Sequence, residues 1–131
     1  MCQRIHRELE SDKHSVSIEL SSGEQQMINA VAQFQPDMII CPFLKHRVPE
    51  VIWREHLCLI VHPGIEGDRG PSSLDWAIES NLTSWGVTLL QADAEMDAGD
   101  IWGTQKFNLR NTAKASLYRR EVITTATHLV K

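Results

Sequence analysis

The sequence has no long apolar run: nowhere does one approach the roughly 18 residues that a helix needs to cross a bilayer. It has no C-x-x-C pair. Its three cysteines, Cys2, Cys41 and Cys58, stand far apart, which argues against a disulfide framework and for a reducing compartment. The six histidines fall in no H-x-x-x-H or H-x-x-H pattern, so no metal site is expected. There is no excess of positive charge: 13 Lys and Arg against 17 Asp and Glu give −4. That argues against unaided binding to nucleic acid, whose phosphates want a basic surface. The opening MCQRIHRELESDK lacks an apolar core segment, so no secretory signal is expected and the protein is placed in the cytoplasm, away from membranes. Repeats and low-complexity linkers are absent too. What remains is 131 residues, 42% hydrophobic and 23% charged, ordinary figures for one globular domain with a real core.

Local patterns divide the chain into alternating elements. Ile5 and Leu9 mark a helix over Gln3–Glu10, and Met27, Ile28, Val31 and Phe34 form one helical stripe over Glu24–Phe34. Val16, Ile18 and Leu20 alternate, which predicts a strand over His14–Leu20, followed by a turn at Ser21-Ser22-Gly23. Met38–Cys41 and Leu57–Val61 read as short buried strands, separated by a short helix that starts with Pro49. A helix over Ser72–Glu79, strands over Gly86–Ala92 and Ile101–Leu109, and a final helix over Ala113–Val130 complete the pattern. Strands alternating with helices predict an α/β fold, an open and mostly parallel sheet with helices on both faces. Such folds usually begin with a buried strand, whereas this chain begins with a helix; a missing first strand accounts for that.

The stretch LIVHPGIEGDRGPSSLDWAI carries the chemistry. A buried strand ends at His62, and a loop containing Gly64, Gly67, Gly70 and Arg69 leads to a helix start. Ligands of α/β sheets collect at carboxyl ends of strands. A second stretch, GVTLLQADAEMDAGDIW, runs from a strand into a loop bearing Asp93, Glu95, Asp97 and Asp100. A carboxylate at the tip of a neighbouring parallel strand reaches such a histidine, fixes its ring and suits it to acid–base work near neutral pH.

HPGIEGDRG followed by GVTLLQADAEMDAGD resembles the 10-formyltetrahydrofolate-dependent formyltransferases. In that family a strand ends in N-x-H-P/A before an S-L-L-P loop, and a later D-x-x-L-D-x-G motif supplies a carboxylate that pairs with the histidine. His62 and Asp97 fall on those positions. CPFLKHRVP resembles the family's strand-end loop lining the pterin pocket. The three segments cover roughly Asp37 to Leu109 in the family's order. The resemblance narrows at DMIICPFLKHRVPE, VHPGIEGDRGPSSLDWAI and AEMDAGDIW…ASLYRREV, which are similar to the N-terminal domain of the HypX/HoxX-type hydrogenase maturation family. That resemblance implies a formyltransferase-like, Rossmann-like domain over residues 1–131, an incomplete fragment of a longer protein whose hydratase-like second domain is absent. It also implies that the formyl group of 10-formyltetrahydrofolate passes to an acceptor such as coenzyme A, to supply the carbon monoxide ligand of nickel–iron hydrogenase alongside other maturation proteins.

By the same resemblance His62 and Asp97 are catalytic, and Cys41, Pro42, Phe43, Leu44 and Asp93 bind the folate, with Phe43 and Leu44 as an apolar wall. The basic cluster Lys45, His46 and Arg47 lies beside them, set for a folate glutamate tail or for solvent. The family's asparagine, two residues before the histidine, is replaced by Ile60. Losing one such donor costs about 10²–10³ in rate, and Ser72, Ser73, Gln91 and His46 are candidates to replace it. The S-L-L-P loop is replaced too, and Pro71, Ser72 and Ser73 mark a helix start suited to anions. Arg69, Ser72 and Ser73 are therefore expected to bind the acceptor, with an ion pair from Arg69 to Asp68 or Asp75 as the structural alternative. The four tryptophans are expected in packing. Two other readings stay open: a stand-alone formyltransferase or formyltetrahydrofolate hydrolase, and a non-catalytic folate-binding or assembly piece.

Overall fold

Alternation along two central strands fixes which residues meet which helices. The computed structural model describes all residues, 1–131. Helices α1 (Cys2–Ser11) and α2 (Glu24–Phe34) precede β1 (Met38–Pro42), α3 (Glu50–Trp53) and β2 (Leu57–His62). Then come α4 (Ser73–Glu79), β3 (Ser84–Gln91) and β4 (Ile101–Asn108). The chain closes with α5 (Lys114–Leu117), a π-helical turn (Tyr118–Val122) and α6 (Ile123–Val130). Successive side chains of a strand point to opposite faces. Leu59 and Val61 of β2 join Trp85, Val87 and Leu89 of β3 beneath α4 and the C-terminal helices, with Leu74, Ala77, Leu117, Val122 and Ala126. Cys58 lies on the opposite face with Ile52 and Ala92, packed by Met27, Ile28, Val31 and Ile60. Helices cover both faces, as expected. Each fully buried Leu or Val contributes about 1.5–3 kcal/mol.

The sheet runs β1-β2-β3-β4, and it is mixed rather than mostly parallel. β1 pairs with β2 in parallel, Met38 against Leu57. β2 pairs with β3 antiparallel, His62 against Thr88, and β3 pairs with β4 antiparallel, Ser84 against Asn108. The connection from Pro63 to Thr83 stays at the end where β2 finishes. Its first part folds back over His62, and α4 has only seven residues. β3 therefore enters beside His62 and runs back along β2. No helix separates β3 from β4, so the two pair as a hairpin.

The predicted strand over His14–Leu20 does not form; that segment has no regular structure, and Leu20 is 81% exposed. Alternation favours a pleated surface only where a neighbouring strand pairs with it, and this segment pairs with none of the four strands. Two tryptophans also depart from expectation. Trp85 is buried, but Trp76 and Trp102 are exposed.

Arg110 braces the C-terminal helices. Its Nε donates to Glu121 Oε1, and its terminal nitrogen donates to Glu121 Oε2 at 3.0 Å and to Ser116 Oγ at 3.1 Å. Hydrogen bonding from that guanidinium holds the Glu121 carboxyl below its ordinary value of 4.5. A carboxylate held lower in the folded state contributes stability above its unfolded value, and loses it as pH falls through the folded value. Arg110→Ala is expected to lower the thermal midpoint at neutral pH. The gap to the parent should close as pH drops below the ordinary carboxylate range, in melting curves recorded across that range.

Candidate active site

His62 is the last residue of β2, on the same face as Ile60 and opposite Thr88. Its ring is only 4% exposed. The stem that follows is pinned to β3: Trp85 Nε1 donates to the Pro63 carbonyl at 3.0 Å, and Thr88 Oγ1 donates to the Gly64 carbonyl at 2.9 Å. A Cβ on Gly64 would collide with the His62 ring and the Asp68 carboxylate, so only glycine lets the chain turn this closely.

Carboxylates meet both ring nitrogens. Asp97 Oδ2 lies 3.4 Å from Nδ1, longer than a well-formed hydrogen bond. Asp68 Oδ2 lies 2.7 Å from Nε2. Ser73 Oγ stands 3.1 Å from Nε2 and also donates to Asp68 Oδ2. Asp97 arrives by a route other than the expected one. β3 is antiparallel to β2 and ends with Gln91 against Leu59, so its tip is not beside His62. The acidic loop instead folds back along the sheet, tied by Gln91 N–H to the Asp100 carbonyl at 2.8 Å. Gly99 packs on the Gln91 carbonyl where no Cβ fits. Asp97, at φ 53°, then also accepts from Gly70 N–H at 3.0 Å.

Sequence reasoning missed Asp68 as a partner of the histidine, because it read the residue only as a possible ion pair for Arg69. The available signal was its position six residues after His62 in a glycine-rich turn, close enough to fold back.

Of the expected folate residues, Leu44 and Asp93 line one shallow cleft, with Arg47, Ile60, Met96 and Asp97. The other three lie elsewhere. Phe43, at φ 56°, packs edge-on against Tyr118, with ring centroids 5.5 Å apart, on the face away from the cleft. Cys41 is a buried residue of β1, and burial pushes its thiol up to about 12. Pro42 ends the same strand outside the cleft lining. Leu44, Ile60 and Met96, rather than Phe43, give this cleft its apolar surface. Positive φ at Phe43 turns that side chain to the other side. Arg47 donates to the Ala94 carbonyl, and His46 Nδ1 lies 3.3 Å from Ser21 Oγ.

The expected acceptor residues separate as well. Arg69 reaches neither Asp68 nor Asp75. It pairs with Glu95 at 3.3 Å, and Asp75 pairs with Lys114. Ser73 turns inward and is buried at His62, which removes it from any acceptor surface. Ser72 is exposed in the left-handed region at φ 69° and makes no capping bond. Arg69 borders a second cleft of about 180 Å³ with Asp68, Thr88 and Asp97. Asp97 lines both clefts. Among candidates to replace the missing asparagine, Ser73 alone contacts His62; Gln91 Oε1 accepts from Trp102 Nε1 at 3.4 Å. No helix is long and apolar enough to cross a membrane.

Residues 5–128 match the formyl transferase family. The chain is 48% identical over 126 residues to hydrogenase maturation factor HoxX of Bradyrhizobium diazoefficiens, covering 96% of this chain and 22% of that protein. It superposes on HypX from Aquifex aeolicus, crystallised in complex with tetrahydrofolic acid, with a TM-score of 0.96 and 45% identity, over 98% of this chain and 23% of the other. The chain thus spans less than a quarter of the length of either relative. Methionyl-tRNA formyltransferase from Clostridium thermocellum shares the fold at a TM-score of 0.74 and 23% identity, over 98% of this chain and 53% of that one.

The close approach at Gly99 generates a test. Gly99→Ala forces the acidic loop off the Gln91 carbonyl and is expected to destabilise the fold by about 1–3 kcal/mol. Ring signals of His62 in NMR spectra should shift as Asp97 withdraws. An unchanged melting point and unshifted signals would show that the loop is not held there.

Proposed function

The chain belongs to the formyl transferase family, and from that premise we propose that it binds 10-formyltetrahydrofolate and transfers its formyl group, using His62 and Asp97. The observation that carries this reading is the 3.4 Å contact of a buried histidine with Asp97, a carboxylate that lines the apolar-walled cleft. The cleft suits a pterin: Leu44, Ile60 and Met96 offer apolar surface, and Asp93 a carboxylate for the polar edge. HypX of Aquifex aeolicus, crystallised with tetrahydrofolic acid, supports the ligand class.

Attack on a formyl carbon throws negative charge onto the formyl oxygen, and a donor held in a dry site stabilises it far better than water does. His62 Nε2 is the donor in this proposal. Asp97 acts at Nδ1, keeping the ring oriented and balancing its charge. Ser73 Oγ, 3.1 Å from Nε2, takes over the donor position that Ile60 leaves empty. Arg69, on the second cleft, meets an anionic acceptor, for which we propose coenzyme A. The similarity to HoxX supports placing the transfer in hydrogenase maturation, with this chain as the formyl-transferring domain and carbon monoxide as the eventual product.

Calorimetry with tetrahydrofolate is expected to show binding by the parent and by His62→Ala, and weakening of about tenfold or more in Leu44→Asp. Formyl transfer from 10-formyltetrahydrofolate to coenzyme A should fall about 10²–10⁴-fold in His62→Ala. No folate binding by the parent, or full activity without His62, would overturn the reading.

A further inference from the structure

His62 is shut away from both clefts, and the residue that shuts it away is not one that the proposed chemistry uses. Nε2, the nitrogen facing the reacting group in that proposal, is bonded to Asp68 at 2.7 Å, and the ring is 4% exposed. Asp68 sits on a segment built unlike the stem before it. Pro63 and Gly64 are fixed to β3 by Trp85 and Thr88, and Ile65 packs against the core. Past them, Gly67 at φ 86° and Gly70 at φ 81° flank Asp68 and Arg69, and a Cβ at either would meet open space. Glycine moves between left-handed and right-handed backbone at little cost. The outer clasps are an exposed ion pair from Arg69 to Glu95 and one bond from Gly70 N–H to Asp97. Exposed pairs of that kind contribute little. The segment borders the second cleft, of about 180 Å³, which gives the carboxylate somewhere to go.

A carboxylate shares one feature with what forms when a formyl group is attacked: a carbon bearing an oxygen with negative charge. We propose that Asp68 is a built-in cap on this site. In the resting protein its carboxylate occupies the position on His62 Nε2 that the oxygen of the one-carbon unit takes during transfer, and the segment from Glu66 to Gly70 swings out on its glycines to surrender that position. Asp68 is thus a positioning residue. It satisfies the buried ring until substrate arrives, and it admits only a group that can replace a carboxylate oxygen. No covalent step is involved. This inference rests on His62 as the reacting-side donor, as argued above, but its test needs no turnover.

Diethyl pyrocarbonate acylates accessible imidazole nitrogens, and peptide mass spectrometry resolves His62 from the other histidines. The parent should label slowly at His62. Asp68→Ala should label there about tenfold faster or more, in line with loss of one charge-assisted hydrogen bond, with the other histidines unchanged. Formate, a one-carbon carboxylate, should restore slow labelling in Asp68→Ala and leave the parent unaffected. Asp68→Asn keeps the volume and gives an intermediate rate, should the alanine variant fold poorly. Equal labelling in folded parent and variants, or acceleration that formate does not reverse, overturns the cap. Absence of folate binding in the separate calorimetry would instead overturn the formyl-transfer reading while leaving these labelling results standing.

Discussion

A buried imidazole presents two nitrogens that need partners, and leaving a buried polar group unpaired costs about 1–3 kcal/mol. In this protein the ring of His62 is 4% exposed, and both nitrogens face carboxylates carried by separate loops. Most local peculiarities of the chain follow from that grip. Gly64 is glycine because the ring and the Asp68 carboxylate fill the space of a Cβ. Gly99 is glycine because the acidic loop must press on the Gln91 carbonyl to bring Asp97 back along the sheet. Asp97 itself sits at φ 53°, a conformation that costs energy outside glycine and is retained at functional positions. Thr88, Trp85 and Ser73 spend their polar atoms on the same corner.

The fold serves this corner by placing two antiparallel strands next to it. β3 enters beside His62 and leaves at the far end, so the loop after β3 has to double back over the sheet face to reach the ring. In doing so it separates two clefts that share Asp97 as a wall. Leu44, Ile60 and Met96 line one, and Asp68, Arg69 and Thr88 the other, while His62 lies beneath Asp97 and Asp68 and lines neither.

Much of this was legible in the sequence, and the failures have physical causes. The strands Leu57–His62 and Ser84–Gln91 show as apolar runs because they are buried, and the helix Glu24–Phe34 shows as a stripe because Met27, Ile28 and Val31 are half-buried against the sheet, although Phe34 is exposed. His62 and Asp97 were legible from their strand-end placement and from the resemblance of the segments around them to formyltransferase motifs, and the structure brings them into contact. Strand direction was not legible: alternation of helices and strands says nothing about a connection that stays at one end. Nor was the side on which Phe43 lands, since a positive φ reverses a side chain without any mark in residue type. Asp68 escaped for the opposite reason. A charged residue among glycines looks like solvent-exposed loop, and only coordinates show it folded back on a buried ring. The alternating segment His14–Leu20 shows that a pattern suited to a sheet is not itself a sheet.

Coupling between the histidine and Asp97 is the claim on which the site stands, and a double-mutant cycle measures it. Unfolding free energies of the parent, His62→Ala, Asp97→Ala and the double variant isolate the pairwise contribution from the separate costs. The account predicts a favourable interaction energy of about 0.5–3 kcal/mol. Additive effects, with no interaction energy beyond error, would contradict it.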